Sequence, residues 1–140
     1  MIFLTVSVLA LSFPGCGKKE NTSDRTLRVG IVTYTQDDPF INTMTEQIRE
    51  DLKLKESKDM KILVSVKNGD NDQRDQDELV EEMIAAGCDV LCVNLVDRTA
   101  PSDIIKAARQ EKIPVIFFNR EPVKEDLMQW DQLYYVGCDA

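Results

Sequence analysis

The chain contains no histidine among its 140 residues. That excludes Ser-His-Asp and Cys-His catalysis and removes the commonest zinc ligand. Basic residues are also scarce: 17 Lys and Arg stand against 25 Asp and Glu, a net charge of −8. No cationic stripe forms, and phosphate contacts need clustered Lys and Arg, so no nucleic-acid partner is expected. Cysteine pairing is missing too. The four cysteines are Cys16, Cys88, Cys92 and Cys138, with no CxxC spacing that would mark a metal cluster. Cys88 and Cys92 lie about 13 Å apart if extended, too far for a disulfide, and read as small buried apolar residues. What is present is enough for one ordinary domain: 43% of residues are hydrophobic, which supports a real core. Function must then be built from carboxylates, amides, hydroxyls and aromatic rings.

Residues 1–15 carry no charge and are mostly apolar, with Ile2, Phe3, Leu4, Val6, Val8 and Leu9 in the run. That run is shorter than the ~20 residues of a membrane span and fits a signal-peptide core. Phe13-Pro14-Gly15-Cys16 follows, then the polar Gly17-Lys18-Lys19-Glu20-Asn21-Thr22. A small residue directly before a cysteine, ahead of a polar tether, resembles a bacterial lipoprotein signal. The resemblance implies lipidation at Cys16, a tether over residues 16–26, and a protein exported to the outer face of the cell membrane or the periplasm. The folded lobe is then expected over 27–140.

From Leu27 onward the periodicity switches regularly between strand and helix. Arg28–Tyr34, Lys61–Val66, Val90–Val93, Pro114–Phe118 and Leu133–Val136 are β-branched and apolar, the pattern of strands buried on both faces. Between them, Phe40–Leu54 spaces Ile41, Met44, Ile48 and Leu52 at helical intervals. Asp75–Ala86 does the same with Leu79, Val80, Met83 and Ile84, and Gly87 supplies a stop. Pro101 opens a third helix with Ile104, Ile105, Ala107 and Ala108 on its apolar stripe. Such alternation predicts an α/β fold with a doubly wound parallel sheet, strand order 2-1-3-4-5.

In open α/β sheets ligands bind beyond the carboxyl ends of the strands, where the strand order reverses. Two segments meet there: Gln36-Asp37-Asp38-Pro39-Phe40 after strand 1 and Asn94-Leu95-Val96-Asp97 after strand 3. Together they offer carboxylates, an aromatic ring and an amide, and nothing that pairs a nucleophile with a base. An ionised Asp accepts hydroxyl hydrogen bonds, an amide both donates and accepts, and a ring covers the C–H face of a sugar. The set points to binding of a neutral polyhydroxylated molecule, not to an enzyme. Each residue also has a structural use: Asp37 or Asp38 as a helix cap, Phe40 as a first-turn core residue, Asn94 as a partner for loop backbone. Asn68–Gln73 is acidic but lacks calcium-loop spacing, and reads as a turn leading into a helix N-terminus. Gln73 and Gln76 are expected on the helix surface, Trp130 in surface packing, and Asn119-Arg120-Glu121 at the crevice edge.

Five blocks carry a family resemblance. They are Tyr34-x3-Asp38-Pro39-Phe40, Asn68-Gly69-Asp70-Asn71-Asp72-Gln73, Val93-Asn94-Leu95-Val96-Asp97, Pro114–Pro122 and Tyr134-Tyr135-Val136-Gly137. In this order they resemble the periplasmic galactose/glucose-binding proteins, a family of type I periplasmic binding proteins, over about residues 27–140. The resemblance implies two hinged lobes that close on one sugar and deliver it to the membrane components of an ABC transporter. Some members also signal to a chemoreceptor. It implies that Asp38 accepts sugar hydroxyls, Phe40 stacks on the pyranose and Asn94 bonds a hydroxyl. The family's other sugar ligands and its calcium loop belong to the second lobe, so no metal or cofactor is expected in this chain. This chain corresponds to most of the first lobe. A half-site leaves one face of the sugar in water, so galactose or glucose binding by residues 17–140 is expected to be weak or absent. The family's first lobe also borrows a strand and helices from the end of the chain, which implies exposed sheet edge and apolar faces here.

Competing readings differ at named positions. A receiver-like signalling module would need Asp at position 94 and Lys at position 137, where Asn94 and Gly137 stand. A nucleotide-binding enzyme would need a glycine-rich loop after strand 1, where Thr35-Gln36-Asp37-Asp38 is acidic. A sugar-responsive repressor would open with a basic helix-turn-helix. A truncated gene product without binding activity is the plainest alternative.

Overall fold

The computed structural model describes residues 25–138; the expected signal segment, Cys16 and most of the expected tether lie outside the described residues. The elements run β1 (Arg25–Thr33), α1 (Pro39–Leu54), β2 (Met60–Asn68), α2 (Gln73–Ala85), β3 (Val90–Val93), α3 (Ser102–Glu111), β4 (Val115–Phe118), α4 (Lys124–Leu127) and β5 (Leu133–Val136). All five strands are parallel, in the order β2-β1-β3-β4-β5. The expected doubly wound sheet is therefore the one observed. Arg25 and Thr26, expected at the end of the tether, instead belong to β1 and pair with Met60 and Lys61.

Strand alternation divides the core in two. Val32, Leu91, Val93, Val115 and Phe117 point to one face, where Val80, Met83, Ile104, Ile105 and Ala108 of α2 and α3 cover them. Val29, Ile31, Cys92 and Phe118 point to the other, where α1 supplies Met44, Ile48 and Leu52. Successive strand side chains must alternate faces, so each buried strand feeds both layers. Cys88 and Cys92 fall in different layers. The second layer is only partly roofed. Beyond α1, a groove of about 290 Å³ runs over Val90, Cys92, Ile116, Phe118 and Val136. On the edge strand β5, Tyr134 and Val136 are 51% and 63% exposed.

Helix ends follow local chemistry. α2 stops in a Schellman turn: Gly87 takes φ 80, its N–H donates to Ile84 O, and Cys88 N–H donates to Met83 O. α3 ends the same way but with Lys112 at φ 58, while Ile113 N–H donates to Ala108 O. A side chain in that left-handed region is strained where glycine is not. Lys112→Gly is expected to stabilise the fold by about 0.5–1 kcal/mol in urea unfolding.

Burial also sorts the thiols. It pushes the Cys92 thiol up to about 11 and raises that of Cys88, whereas Cys138 is exposed. Because the thiolate is the reactive form, alkylation at pH 8 is expected to mark Cys138 and spare Cys88 and Cys92 until the chain unfolds. Mass mapping of the labelled peptides checks this.

Candidate functional site

The carboxyl ends of β1, β3 and β4 lie side by side, because β1 pairs with β3 and β3 with β4. Their following loops therefore share one edge of the sheet, at the reversal between β2-β1 and β3. Asp38 caps α1 there: its Oδ1 accepts from Phe40 N–H at 2.8 Å and Ile41 N–H at 3.4 Å, with Pro39 in the first turn. Its Oδ2 accepts from the Tyr34 hydroxyl at 2.6 Å. The Tyr34 hydrogen bond, then the two backbone N–H groups and the nearby Arg120 charge, hold the Asp38 carboxyl below its ordinary range against partial desolvation. A lowered carboxyl means that the ionised cap contributes fully above the unfolded-state value and is lost as pH falls through the folded-state value. At neutral pH Asp38 is an anionic acceptor. Asp37 takes no part in the cap; its own N–H donates to Thr35 Oγ1 at 3.1 Å.

Phe40 is 60% exposed, so it is not the first-turn core residue that its position also allowed. Its side chain is exposed in the same first turn whose backbone N–H groups the Asp38 carboxylate holds. Asn94 is placed differently. It is fully buried, and its Nδ2 donates to Phe118 O at 3.0 Å, so it ties the end of β3 to the end of β4. Its Oδ1 has no partner among the described residues. The structure thus brings Asp38 and Phe40 together in the first turn of α1 and buries Asn94 at the end of β3, as a backbone tie with one unpaired acceptor among the described residues.

The expectation for Gln76 is corrected. It is fully buried, not on the helix surface. Its Nε2 donates to Asn94 O at 2.9 Å and its Oε1 accepts from Val96 N–H at 3.0 Å. Buried polar groups need such partners, and here one side chain satisfies both backbone groups of the loop after β3. Gln73, half-buried, accepts from Asp97 N–H at 2.8 Å. The signal was in the spacing: Gln76, Val80 and Met83 share one helical stripe, which puts position 76 on the core side.

Asn68–Gln73 forms the expected turn. Asp70 and Asn71 take φ 50 and 60, and Asp72 caps α2 by accepting from Arg74 and Asp75 N–H groups. Gly69 fits because a Cβ there would lie 2.9 Å from Thr33 O. Among the described residues no group of three or more His, Cys, Asp or Glu gathers as a metal site. Arg120 was expected only at the crevice edge, but it reaches further in. Its guanidinium lies 3.7 Å above the centroid of the Tyr34 ring, and Nη1 donates to Leu95 O and Val96 O at 3.1 and 2.9 Å. Trp130 packs, half-buried, against the α2/α3 layer.

The model of the periplasmic binding protein domain matches residues 29–140, almost the whole of this sheet and its crevice loops. The chain belongs to that family. It is 34% identical over 112 residues to the D-galactose/methyl-galactoside binding periplasmic protein MglB of Haemophilus influenzae, covering 80% of this chain and 33% of that one. It is 26% identical over 125 residues to the ribose import binding protein RbsB of Bacillus subtilis, covering 85% of this chain and 39% of that one. Among solved structures, a carbohydrate transporter solute binding protein from Chloroflexus aurantiacus in complex with D-glucose superposes with a TM-score of 0.64 at 28% identity, over 82% of this chain and 31% of that one. The chain therefore spans a third to two-fifths of the length of these relatives. They are binding proteins, not enzymes, and the receiver-like reading does not survive the family match.

Proposed function

We propose that this chain is most of the first lobe of a sugar receptor for an ABC uptake system, and that it takes galactose or glucose through Asp38, Phe40 and Asn94. The observation that carries this reading is the ionised Asp38 carboxylate fixed at the first turn of α1, the turn that also exposes Phe40. That pairing offers hydroxyl acceptance and an apolar stacking face at one point. It stands in a chain whose relatives include a galactoside-binding protein. Asn94 supplies its unpaired Oδ1 once the loop end admits a hydroxyl. Lipidation at Cys16 would hold the lobe at the outer face of the cell membrane, beside the transporter's membrane components. Contact with a chemoreceptor would be a second use of the loaded state.

Three contacts set against lost translational freedom give affinity no better than millimolar for this chain. The test is an NMR titration of residues 17–140 with D-galactose, D-glucose and D-ribose. Galactose and glucose are expected to shift the Asp38, Phe40 and Asn94 resonances in the millimolar range, and ribose to shift them less. Asp38→Asn should abolish the response. Equal response to all three sugars, or shifts confined to other loops, would sink the reading.

A further inference from the structure

We infer that Arg120 is a positioning residue of the proposed sugar site, acting through Tyr34 on Asp38 and not on the ligand. The inference rests on the sugar reading of Asp38, and its geometric part stands apart from that reading. Arg120 binds three crevice segments at once. Its own backbone follows β4, its Nη1 holds the Leu95 and Val96 carbonyls after β3, and its guanidinium covers the Tyr34 ring after β1. No ion pair joins Arg120 to Asp38 among the described residues. The main link runs through the phenol, whose hydroxyl donates to Asp38 Oδ2; the Arg120 charge adds only a smaller through-space pull on the carboxylate.

Local backbone geometry aims the side chain. Asn119 adopts φ 62, and Arg120 N–H donates back to Phe118 O at 2.7 Å. This tight turn reverses the chain just past β4. The same Phe118 carbonyl accepts the Asn94 amide, so the turn that directs Arg120 also anchors Asn94. Asparagine tolerates the left-handed region that a β-branched residue would not.

The chemistry suits arginine in particular. A planar guanidinium can lie flat on an aromatic face while one of its nitrogens serves two carbonyls; a lysine ammonium is a point charge. A cation over the ring polarises the phenol and makes its O–H the better donor to carboxylate. With Oδ1 shared between two backbone N–H groups and Oδ2 held by Tyr34, the carboxylate is fixed in orientation. Oδ2 retains a lone pair for a ligand hydroxyl. Removing Arg120 would free the phenol and let the carboxylate turn about its cap.

The experiment follows the Asp38 carboxyl and Tyr34 ring carbons by NMR across pH, with and without D-galactose. It compares the parent chain with Arg120→Gln, Arg120→Lys, Tyr34→Phe and the Arg120→Gln/Tyr34→Phe double variant. Arg120→Gln and Tyr34→Phe should each raise the Asp38 titration midpoint and weaken galactose roughly three- to tenfold. The double variant should be only slightly worse than Tyr34→Phe alone, because the main effect of both runs on one path and only the smaller through-space pull of Arg120 is lost besides. Arg120→Lys should recover part of the midpoint shift by restoring charge. If Arg120→Gln weakens galactose but leaves the Asp38 midpoint in place, Arg120 touches the sugar itself and the inference is overturned. An unchanged midpoint with unchanged affinity overturns it equally. If galactose moves no crevice resonance in the parent chain, the sugar reading fails, and the Asp38 midpoint in Arg120→Gln still decides the coupling. Should Arg120→Gln not fold, Arg120→Lys is expected to show a smaller rise of the Asp38 midpoint in the same direction as Tyr34→Phe, and no rise would overturn the inference.

Discussion

Gln76→Leu is expected to cost about 2–4 kcal/mol in urea unfolding, although it replaces a polar residue with an apolar one of similar volume inside the core. The naive expectation has the opposite sign. Gln76 is fully buried on the face of α2 that packs against the sheet, and an apolar side chain there looks like an improvement. But its amide is the partner of two backbone groups, Asn94 C=O and Val96 N–H. Leucine leaves the buried carbonyl and the loop N–H without those partners, and each unpaired group carries a desolvation penalty of about 1–3 kcal/mol. Gln76→Glu separates the two halves of the effect. Its carboxylate can still accept from Val96 N–H but must neutralise to donate to Asn94 C=O, so its loss of stability should shrink as the pH falls toward the raised carboxyl value of a buried Glu. The functional consequence is local. The loop after β3 carries Asn94 and receives Arg120, so amide exchange at Val96 and Asp97 should accelerate in Gln76→Leu more than the global stability loss requires. Exchange that follows global unfolding alone would count against this loop-specific role.

The same residue shows where sequence reading succeeds and where it stops. Strand identity was legible because buried parallel strands are long β-branched runs, and β3 and β5 begin and end where composition placed them. The strand order followed from right-handed crossovers. β1 extended further back because Arg25–Arg28 is held by main-chain pairing with β2, and by Asp89 accepting from Arg28 N–H, neither of which composition reports. α1 and α2 each started earlier than their apolar periodicity, at Pro39 and Gln73. Their first turns are fixed by the capping carboxylates Asp38 and Asp72, not by apolar contacts. At the crevice, Asp38 and Phe40 were legible because the loop after strand 1 must lie at the reversal point. Asn94 was legible as a position but not as a buried tie, since its partner Phe118 O is a carbonyl of another strand. The surface expected for Gln76 and the crevice edge expected for Arg120 both leave out how far a long polar side chain extends. Their reach lets them satisfy backbone groups far along the chain: Gln76 at Asn94 and Val96, 18 and 20 positions on, and Arg120 at Leu95 and Val96, 25 and 24 positions back.

A pair of phenylalanines separates folding from binding. Phe117→Ala should cost about 3–5 kcal/mol, while Phe40→Ala should leave stability within about 0.5 kcal/mol. The two residues share a side chain and differ in surroundings. Phe117 is the largest fully buried side chain, set in the α2/α3 layer on β4 between β3 and β5. Truncation there removes ring contacts and leaves a void that close-packed neighbours fill only in part. Against a total of 5–15 kcal/mol for ordinary domains, a loss of about that size leaves a substantial unfolded fraction. Phe40 is 60% exposed in the first turn of α1, where alanine is a good helix former and little apolar area leaves the core. Sugar response should invert the ranking. Phe40→Ala should remove the stacking face and with it the galactose-induced shift at Asp38, while any Phe117→Ala molecules that remain folded keep that shift. If Phe40→Ala lowers stability as much as Phe117→Ala, its ring is a packing element and the stacking role falls. If it changes neither stability nor the Asp38 response, the sugar, if bound, is held by the carboxylate and amide alone.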